Sequence, residues 1–416
     1  MKAIFLILFS LGFAWRFEIV GDISMSELVL IGLSPVILYR IHPFRNKQMG
    51  TFLKFYLALI AVQVLMESIV GNEVENSMRG IAVSIVSLLH TCFLYLFFRK
   101  DRHCLAWVAL GYFLRNLFFP SEFLEDVVGE DTFESVFLKF QLAPMMFGAI
   151  LFLGTYLRIR LFHVLVIVAG IAFVIMGARS FGVICIISGV ITFLIKRRKG
   201  LRIPHFKTYI IVALLLLYGG YRVYVDQVLE GKIDSGNSSQ LMKVEDPYNP
   251  VNLLMMGRTE VWVGYMAMTE QPITGWGAWT IDPDNRFRYM EMDLRDEDFR
   301  ELNDEQVIPS HSVIIGYGMQ NGIFAMLLVI TLAVWIMRKG ILLLRYGEEE
   351  TLIVTFLLAY FAWNVLFSPI SHFRLDLPIV MSFILASWEL KFGSMGNTRR
   401  GNPVVALGDV VSRHEE

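Results

Sequence analysis

Residues 312–337 read SVIIGYGMQNGIFAMLLVITLAVWIM and contain no charged side chain. A helix of about 20 such residues crosses the roughly 30 Å hydrocarbon core of a bilayer. Because backbone polar groups must be hydrogen-bonded internally in lipid, a run of this length predicts a transmembrane α-helix. Its glycines, Gly316, Gly318 and Gly322, would let neighbouring helices approach closely.

Similar apolar segments recur along the whole chain. They are 3–14, 26–40, 51–70, 79–98, 103–120, 136–157, 160–178, 180–195, 207–224, 351–371 and 374–391. The first resembles a signal peptide, but Trp15 and Arg16 stand where a small-residue cleavage site would be, so it is interpreted as an uncleaved helix. The sequence therefore predicts an all-α polytopic membrane protein with about 12 transmembrane helices.

Composition supports this class and excludes others. Hydrophobic residues make up 55% of the chain and charged residues only 18%, with a formal net charge of -1. No basic field is present to hold a nucleic-acid backbone, so no nucleic-acid partner is expected. Cys92, Cys104 and Cys185 are widely spaced inside apolar runs, which favours core packing over a disulfide framework or a metal site.

Orientation follows from the basic residues, since positively charged loops stay in the cytoplasm. Acidic loops at 71–77 and 121–134 alternate along the chain with clusters of basic residues. Both termini are thus predicted to be cytoplasmic. Helices 1–9 are predicted within residues 1–224, and a large extracytoplasmic loop follows at residues 225–311. Helices 10–12 are predicted within residues 312–391, and residues 392–416 form a cytoplasmic tail. The basic clusters are Arg40, Arg45 and Lys47; Arg99, Lys100 and Arg102; Arg158 and Arg160; Lys196 to Lys199; Arg338 and Lys339; Arg399 and Arg400.

The long polar loop is where function is expected, because long connections are uncommon unless they have a role. Its middle predicts a short helix with one apolar face, made of Val261, Trp262, Tyr265 and Met266, which would lie against the mouth of the helix bundle. Gly275 and Gly277 suit a turn that needs positive φ or a close backbone approach. A charged run, 282–305, then leads to His311, directly before the apolar stretch 312–337.

Several short motifs in this half of the chain occur in a characteristic order. Gly257-Arg258 is followed by Trp262, then Pro272-x-x-Gly275-x-Gly277, then His311-Ser312 and a glycine-rich helix. Over about 165–390 this order resembles the bacterial O-antigen ligase and O-antigen polymerase superfamily, membrane glycosyltransferases of GT-C-like fold. The run 177–182, with Arg179 opening a helix, is similar to that family's Ser-Arg-Gly helix start. Ala178 and Ser312 depart from the usual pattern and leave ligase versus polymerase open.

The resemblance implies transfer of an oligosaccharide or polysaccharide from undecaprenyl diphosphate to an acceptor hydroxyl, on lipopolysaccharide core or a similar glycan or lipid. The reaction would take place on the outer face of the bacterial inner membrane, without a nucleotide sugar, a metal or another cofactor. A diphosphate leaving group needs fixed cations, preferably arginine with its planar fork. The acceptor hydroxyl must lose a proton, which suits histidine.

Candidate phosphate-binding residues are the arginines on the predicted outer side: Arg179, Arg222, Arg258, Arg286 and Arg288. For Arg179 and Arg222 the alternative is snorkelling to the interface. For Arg258 it is an ion pair with a loop carboxylate such as Glu260. Arg286 and Arg288 lie in a charge-dense stretch, where a solvated face is the favoured interpretation.

His311 is the candidate catalytic base, because only His311 and His372 lie on the relevant face. Its alternative roles are a hydrogen bond to the helix start or a contact to the donor diphosphate. His372 could line the same cavity, although a structural role at a helix break is favoured, and Arg374 either binds phosphate or anchors the interface. Trp262 could stack on a sugar ring or belong to an interfacial belt.

Asp282 and Asp284 form a pair of carboxylates of the kind that can hold a metal for phosphate chemistry, but a solvated loop or a helix cap is the favoured interpretation. The leading function is that of an O-antigen ligase-type glycosyltransferase. The alternative is a repeat-unit polymerase of the same superfamily, and the third, less favoured function is a lipid-linked glycan flippase or transporter. A flippase would use alternating access and often shows repeat symmetry, whereas polar functionality here is concentrated in one loop.

Overall fold

The computed structural model describes residues 1–19, 21–42, 46–119, 137–157, 161–198, 206–232, 246–249, 252, 257–295, 307–345 and 350–393. Helices dominate this part of the chain. They are α1 (Lys2–Leu11), α2 (Met25–Ile41), α3 (Lys47–Val70), α4 (Val74–Phe98), α5 (Cys104–Phe118), α6 (Ala143–Tyr156), α7 (Phe162–Ile175), α8 (Arg179–Arg198), α9 (Phe206–Leu229), α10 (Thr259–Glu270), α11 (Arg286–Leu294), α12 (Val313–Arg345), α13 (Thr351–Phe367), α14 (His372–Leu375) and α15 (Leu377–Trp388).

Each apolar segment predicted from the sequence contains one of these helices. Four are long and apolar enough to cross a membrane: Lys47–Val70, Val74–Phe98, Arg179–Lys196 and Val313–Arg345. Shorter apolar helices accompany them, so the fold is that of a polytopic helical membrane protein. The number of 12 spans, the domain boundaries and the side on which the loop lies remain predictions.

One small departure from an all-α fold connects α1 to α2. Strands β1 (Arg16–Glu18) and β2 (Asp22–Ser24) pair antiparallel, with Arg16 opposite Ser24. Ser24 caps α2 through a capping box with Glu27, in which each side chain bonds the other's backbone N–H. The hairpin thus ends where the helix begins.

Contacts between loops show which loops lie at each end of the helix bundle. Arg102, after α4, forms an ion pair with Glu350, before α13, at 3.3 Å. At the other end, the Asn72 side-chain amide donates to the Ala278 carbonyl of the long polar segment at 2.8 Å. Loops predicted to share a face of the membrane therefore contact one another.

The centre of the bundle is formed by α4 and α15. All residues of α15 from Leu377 to Ser387 are buried. Hydroxyl groups in this core bond each other: Tyr56 with Ser87 at 2.8 Å, and Tyr317 with Ser84 at 2.9 Å. Such pairs satisfy polar groups where water is excluded and fix the register of neighbouring helices.

Helix α12 is broken inside the apolar stretch on which the fold prediction rests. Asn321 has φ -129° and Gly322 has φ +77°, neither of which continues an α-helix. Segment 272–277 docks on the break so closely that a Cβ on Gly322 would lie 1.8 Å from the Ile273 carbonyl oxygen. Gly275 and Gly277 have φ +72° and +91°, which confirms the predicted turn.

The docked segment satisfies the backbone groups that the break leaves without helical partners. Such groups would be costly if left unpaired in an apolar environment. The three hydrogen bonds run from Trp276 N–H to the Met319 carbonyl at 2.8 Å, from Gly277 N–H to the Gln320 carbonyl at 2.9 Å, and from Ile323 N–H to the Pro272 carbonyl at 2.8 Å.

A buried carboxylate, Glu67 of α3, ties the break and the docked segment to the bundle. Its oxygens accept hydrogen bonds from the Asn321 amide at 2.8 Å and the Ala278 N–H at 2.7 Å. Asn72 and Ser77 donate to it at 2.8 and 2.9 Å. Four uncharged donors thus surround one buried carboxylate. Their hydrogen bonds replace those that the carboxylate would form with water.

The predicted helix in the polar segment is present as α10, but the predicted buried face was wrong. Trp262, Tyr265 and Met266 are exposed. The reason is close packing against α12, where a Cβ on Gly318 would lie 2.5 Å from the Met268 sulfur. Small and medium-sized residues together with Met268 therefore face the bundle, whereas Trp262, Tyr265 and Met266 face outward. The buried residues are Thr259, Val263, Gly264, Ala267 and Met268.

Candidate active site at the ends of the polar segment

The two ends of the polar segment meet because α10 runs beside the start of α12. Gly264 lies against this start, where an added Cβ would be 3.4 Å from the Ser310 side chain. One turn earlier, Glu260 approaches His311, with 3.8 Å between Oε1 and Nδ1. Arg258, Glu260 and His311, far apart in sequence, are thereby gathered in one place.

Arg258 stands at the N-cap of α10 and lies on an aromatic ring. Its guanidinium carbon is 5.5 Å from the centre of the Trp363 ring of α13. Burial lowers the pKa of Arg258, partly opposed by nearby Glu260. Its guanidinium forms no hydrogen bond and no ion pair with a described residue, so its planar set of donors is available to an anion.

Glu260 is instead engaged by Arg295, which follows α11. Arg295 Nη2 bonds Glu260 Oε1 and also lies 2.8 Å from Glu291 Oε1, while its Nε donates to Thr259 at 2.8 Å. Burial alone would raise the pKa of Glu260, but His311 and Arg295 hold it below its ordinary value. The alternative interpretation of Arg258, an ion pair with Glu260, thus describes Arg295 better.

His311 lies near one carboxylate, that of Glu260, and near several basic side chains. Burial lowers its pKa, and Arg258, Arg295 and His372 lower it further, whereas Glu260 raises it. Its Nδ1 has no hydrogen-bond partner among the described residues. The imidazole is therefore neutral near pH 7 and can exchange a proton or a hydrogen bond with a bound molecule.

His372 is held by a buried carboxylate one helical turn away. Its Nδ1 lies 2.7 Å from Asp376 Oδ2. Tyr360 donates to the same oxygen and Tyr112 to Oδ1, each at 3.0 Å. The side chain of His372 is 34% exposed, whereas that of Asp376 is 5% exposed. This is the arrangement of a base and the acid that orients it.

Arg179 and Arg222 lie in a separate cluster of tyrosines. Arg179 opens α8, as predicted, and donates to Tyr224 at 2.6 Å. Arg222 of α9 stacks on Tyr248, 4.9 Å from the ring centre. No hydrogen bond, ion pair or ring contact within the described ranges joins this cluster to Arg258 or His311.

The remaining predicted arginines are paired with carboxylates. Arg286 binds Glu270 at 2.5 Å and Arg288 binds Glu291 at 2.5 Å. Arg374 lies 3.4 Å from buried Glu27 and also donates to the Asp22 carbonyl, which fastens it to the hairpin. These charges are already balanced, as the solvated-face and anchoring alternatives expect.

Two other residues singled out from the sequence, Trp262 and Asp282, have different surroundings. Trp262 is exposed on the outer face of α10, available to a ligand or an interface. Asp282 is buried, and its carboxylate accepts the backbone N–H of Arg288 at 2.8 Å. Asp282 thus caps the start of α11, as the capping interpretation expects.

Sequence reasoning missed Trp363, Arg295 and Asp376. Trp363 and Arg295 come from distant parts of the chain and carried no local signal. Asp376 did carry one, because His372 and Asp376 are four residues apart and share a helix face.

A comparison with protein families matches residues 142–330 to the family described as O-antigen ligase. The matched region runs from the start of α6 into α12 and includes Arg179, Arg258 and His311. A search of curated proteins found no significant match. Residues 142–330, just under half of the chain, thus match the O-antigen ligase family, which supports the resemblance to the superfamily of O-antigen ligases and polymerases.

Proposed function

We propose that this protein is an O-antigen ligase-type glycosyltransferase that moves an oligosaccharide or polysaccharide from undecaprenyl diphosphate to an acceptor hydroxyl. The acceptor is lipopolysaccharide core or a similar glycan or lipid. The observation that carries the proposal is Arg258, a half-buried guanidinium on the Trp363 ring with no carboxylate bound to it among the described residues. An anion, here the donor diphosphate, would complete its coordination.

The chemistry requires stabilisation of charge on the departing diphosphate. When the bond between the sugar and the phosphate oxygen breaks, the lipid diphosphate leaves with the electron pair. Arg258 would bind its oxygens in bidentate fashion, without a metal ion, and Trp363 holds the guanidinium plane in place. Arg179 and Arg222 would contact a more distant part of the donor or acceptor.

An apolar groove between α12 and α13 suits the lipid part of the donor. It has a volume of about 590 Å³ and is lined by Ile314, Ile330, Val334, Val365 and Leu366, among others. Ile314 is three residues beyond His311, so the groove starts beside the candidate site. A polyprenyl chain in the groove would leave its diphosphate at the bundle end that carries Arg258.

His311 is proposed to lie at the reacting atoms. A neutral imidazole can accept the proton of the acceptor hydroxyl, the role predicted from the sequence, or donate a hydrogen bond to the leaving diphosphate. The reaction would take place on the outer face of the inner membrane, with both termini in the cytoplasm.

Glycolipids from a strain that lacks this protein would test the reaction and its acceptor. For a ligase, we expect lipid-linked polymer to accumulate while attached polymer disappears from the surface glycan on a gel. A single repeat unit still attached to the acceptor would instead identify a polymerase. Unchanged lipid-linked and attached glycans would contradict both.

A further inference from the structure

The pair formed by His372 and Asp376 has the geometry of a catalytic base and its orienting acid. Since Asp376 accepts from Nδ1 at 2.7 Å, the proton of the neutral imidazole is held on Nδ1. The lone pair is then on Nε2, which has no partner among the described residues. This is the tautomer that a general base needs.

The acid is fixed independently of the histidine. Tyr112 from α5 and Tyr360 from α13 each donate to it at 3.0 Å. Three donors directed at two oxygens stabilise the carboxylate form, so Asp376 can balance a positive charge on His372 without itself taking the proton.

His311 is less suited to hold a proton. Its nearest described carboxylate, Glu260, is 3.8 Å away and is already bound by Arg295. Arg258 is also close enough to oppose a charged imidazole. A proton placed on His311 would face two guanidinium groups, whereas a proton on His372 would face a carboxylate that no described guanidinium shares.

The two histidines lie at the same end of the bundle. The turn before α14 packs on the start of α12, where a Cβ on Gly316 would lie 2.7 Å from the Ile370 side chain. His372 is also near enough to His311 to influence its charge. A donor bound at Arg258 and His311 would therefore lie beside His372.

We infer that His372, oriented by Asp376, accepts the proton of the acceptor hydroxyl, while His311 contacts the donor diphosphate. The inference rests on the proposed transfer reaction. As the acceptor oxygen bonds to the sugar carbon, its proton passes to Nε2 of His372. The bond from that carbon to the phosphate oxygen breaks, and the electron pair leaves with the lipid diphosphate. Asp376 is then a positioning residue that stabilises the imidazolium.

Purified His372→Gly protein tests the inference, with lipid-linked glycan from the deletion strain as donor and the deletion strain's own unmodified acceptor. General-base catalysis contributes about 10²–10⁴-fold, so we expect a loss of turnover in that range, with retention of undecaprenyl diphosphate binding. Added imidazole should restore part of the activity. His42→Gly is the matched control, because His42 is exposed at the far end of α2 from the hairpin. It should keep wild-type turnover and show no response to imidazole.

Asp376→Asn provides the second arm. It preserves shape but cannot hold the same tautomer, so turnover should fall while diphosphate binding persists. Tyr112→Phe removes one hydrogen bond to Asp376 and leaves the pair intact, so its loss should be smaller. Wild-type turnover in His372→Gly would overturn the inference, as would loss of turnover in His311→Ala that imidazole rescues with binding intact. Absence of transfer by the wild-type protein would contradict the proposed function itself.

Discussion

The guanidinium of Arg258 rests on Trp363 rather than on a carboxylate. An aromatic ring restricts the plane of the guanidinium without occupying its hydrogen-bond donors. The neighbouring acid, Glu260, is occupied by Arg295. The Arg258 guanidinium is therefore suited to bind an anionic ligand.

Replacing Arg258 by lysine should therefore reduce activity even though the charge is kept. Lysine cannot form a bidentate contact, and loss of a hydrogen bond to a charged group costs about 1.5–3 kcal/mol, or roughly ten- to a hundredfold in kcat/KM. Turnover by the purified protein, normalised to folded protein, measures this. Arg286→Lys is the control, because Arg286 is exposed and paired with Glu270. Equal activity of both variants would reduce Arg258 to an interface anchor.

At this scale the sequence predicted the residue types of the site better than their partners. Arg258 and His311 could be selected because they occur in a recognisable order of motifs beside an apolar helix. Whether an arginine is free or paired depends on residues elsewhere in the chain. The charge-dense stretch around Arg286 and Arg288 favoured a solvated face, and both do bind nearby carboxylates.

Among the secondary-structure elements, the interrupted helix α12 determines how the polar segment meets the bundle. The apolar pattern of 312–337 is continuous, so it predicts one straight helix. Hydrophobicity carries no information about the backbone angles of Asn321 and Gly322. The sequence did indicate close approach at the glycines, but not that segment 272–277 would be the approaching partner.

Gly322→Ala should therefore destabilise the protein. The new Cβ would clash with the Ile273 carbonyl, and φ +77° is unfavourable for alanine, so we expect a loss of more than about 1 kcal/mol. Thermal unfolding in detergent, followed by size-exclusion chromatography, measures the effect. Gly32→Ala in α2 is the control, since a Cβ there meets nothing within 4 Å. Equal melting temperatures for the two variants would contradict the described break.

For the whole molecule, the separation of loops into two ends agrees with the alternation of basic and acidic loops. Arg102 with Glu350 marks one end, and Asn72 with Ala278 marks the other. The helical class of the fold could be predicted because apolar runs of membrane length have few other solutions. Which helices pack against one another could not be predicted, because nearly every helix is apolar on several faces.

The predicted orientation in the membrane gives a test at this scale. A reporter that is active only outside the cytoplasm, inserted within 231–240, should be active, whereas the same reporter placed after Lys199 should be inactive. The reason is the cluster Lys196 to Lys199, which favours the cytoplasmic side. Activity in the opposite pattern would invert the predicted topology and place Arg258 on the cytoplasmic face.

The break in α12 also bears on the order in which the protein is made. Most of its described partners, Glu67 and segment 272–277, precede it in the chain and are therefore synthesised before Asn321. The break can therefore be closed as soon as α12 enters the membrane. His372 and Asp376 come later, and Tyr360 arrives with α13. We therefore expect the scaffold around the break to form before the proposed base His372 and its orienting acid Asp376 are synthesised, so that a nascent chain is inactive until its final helices are in place.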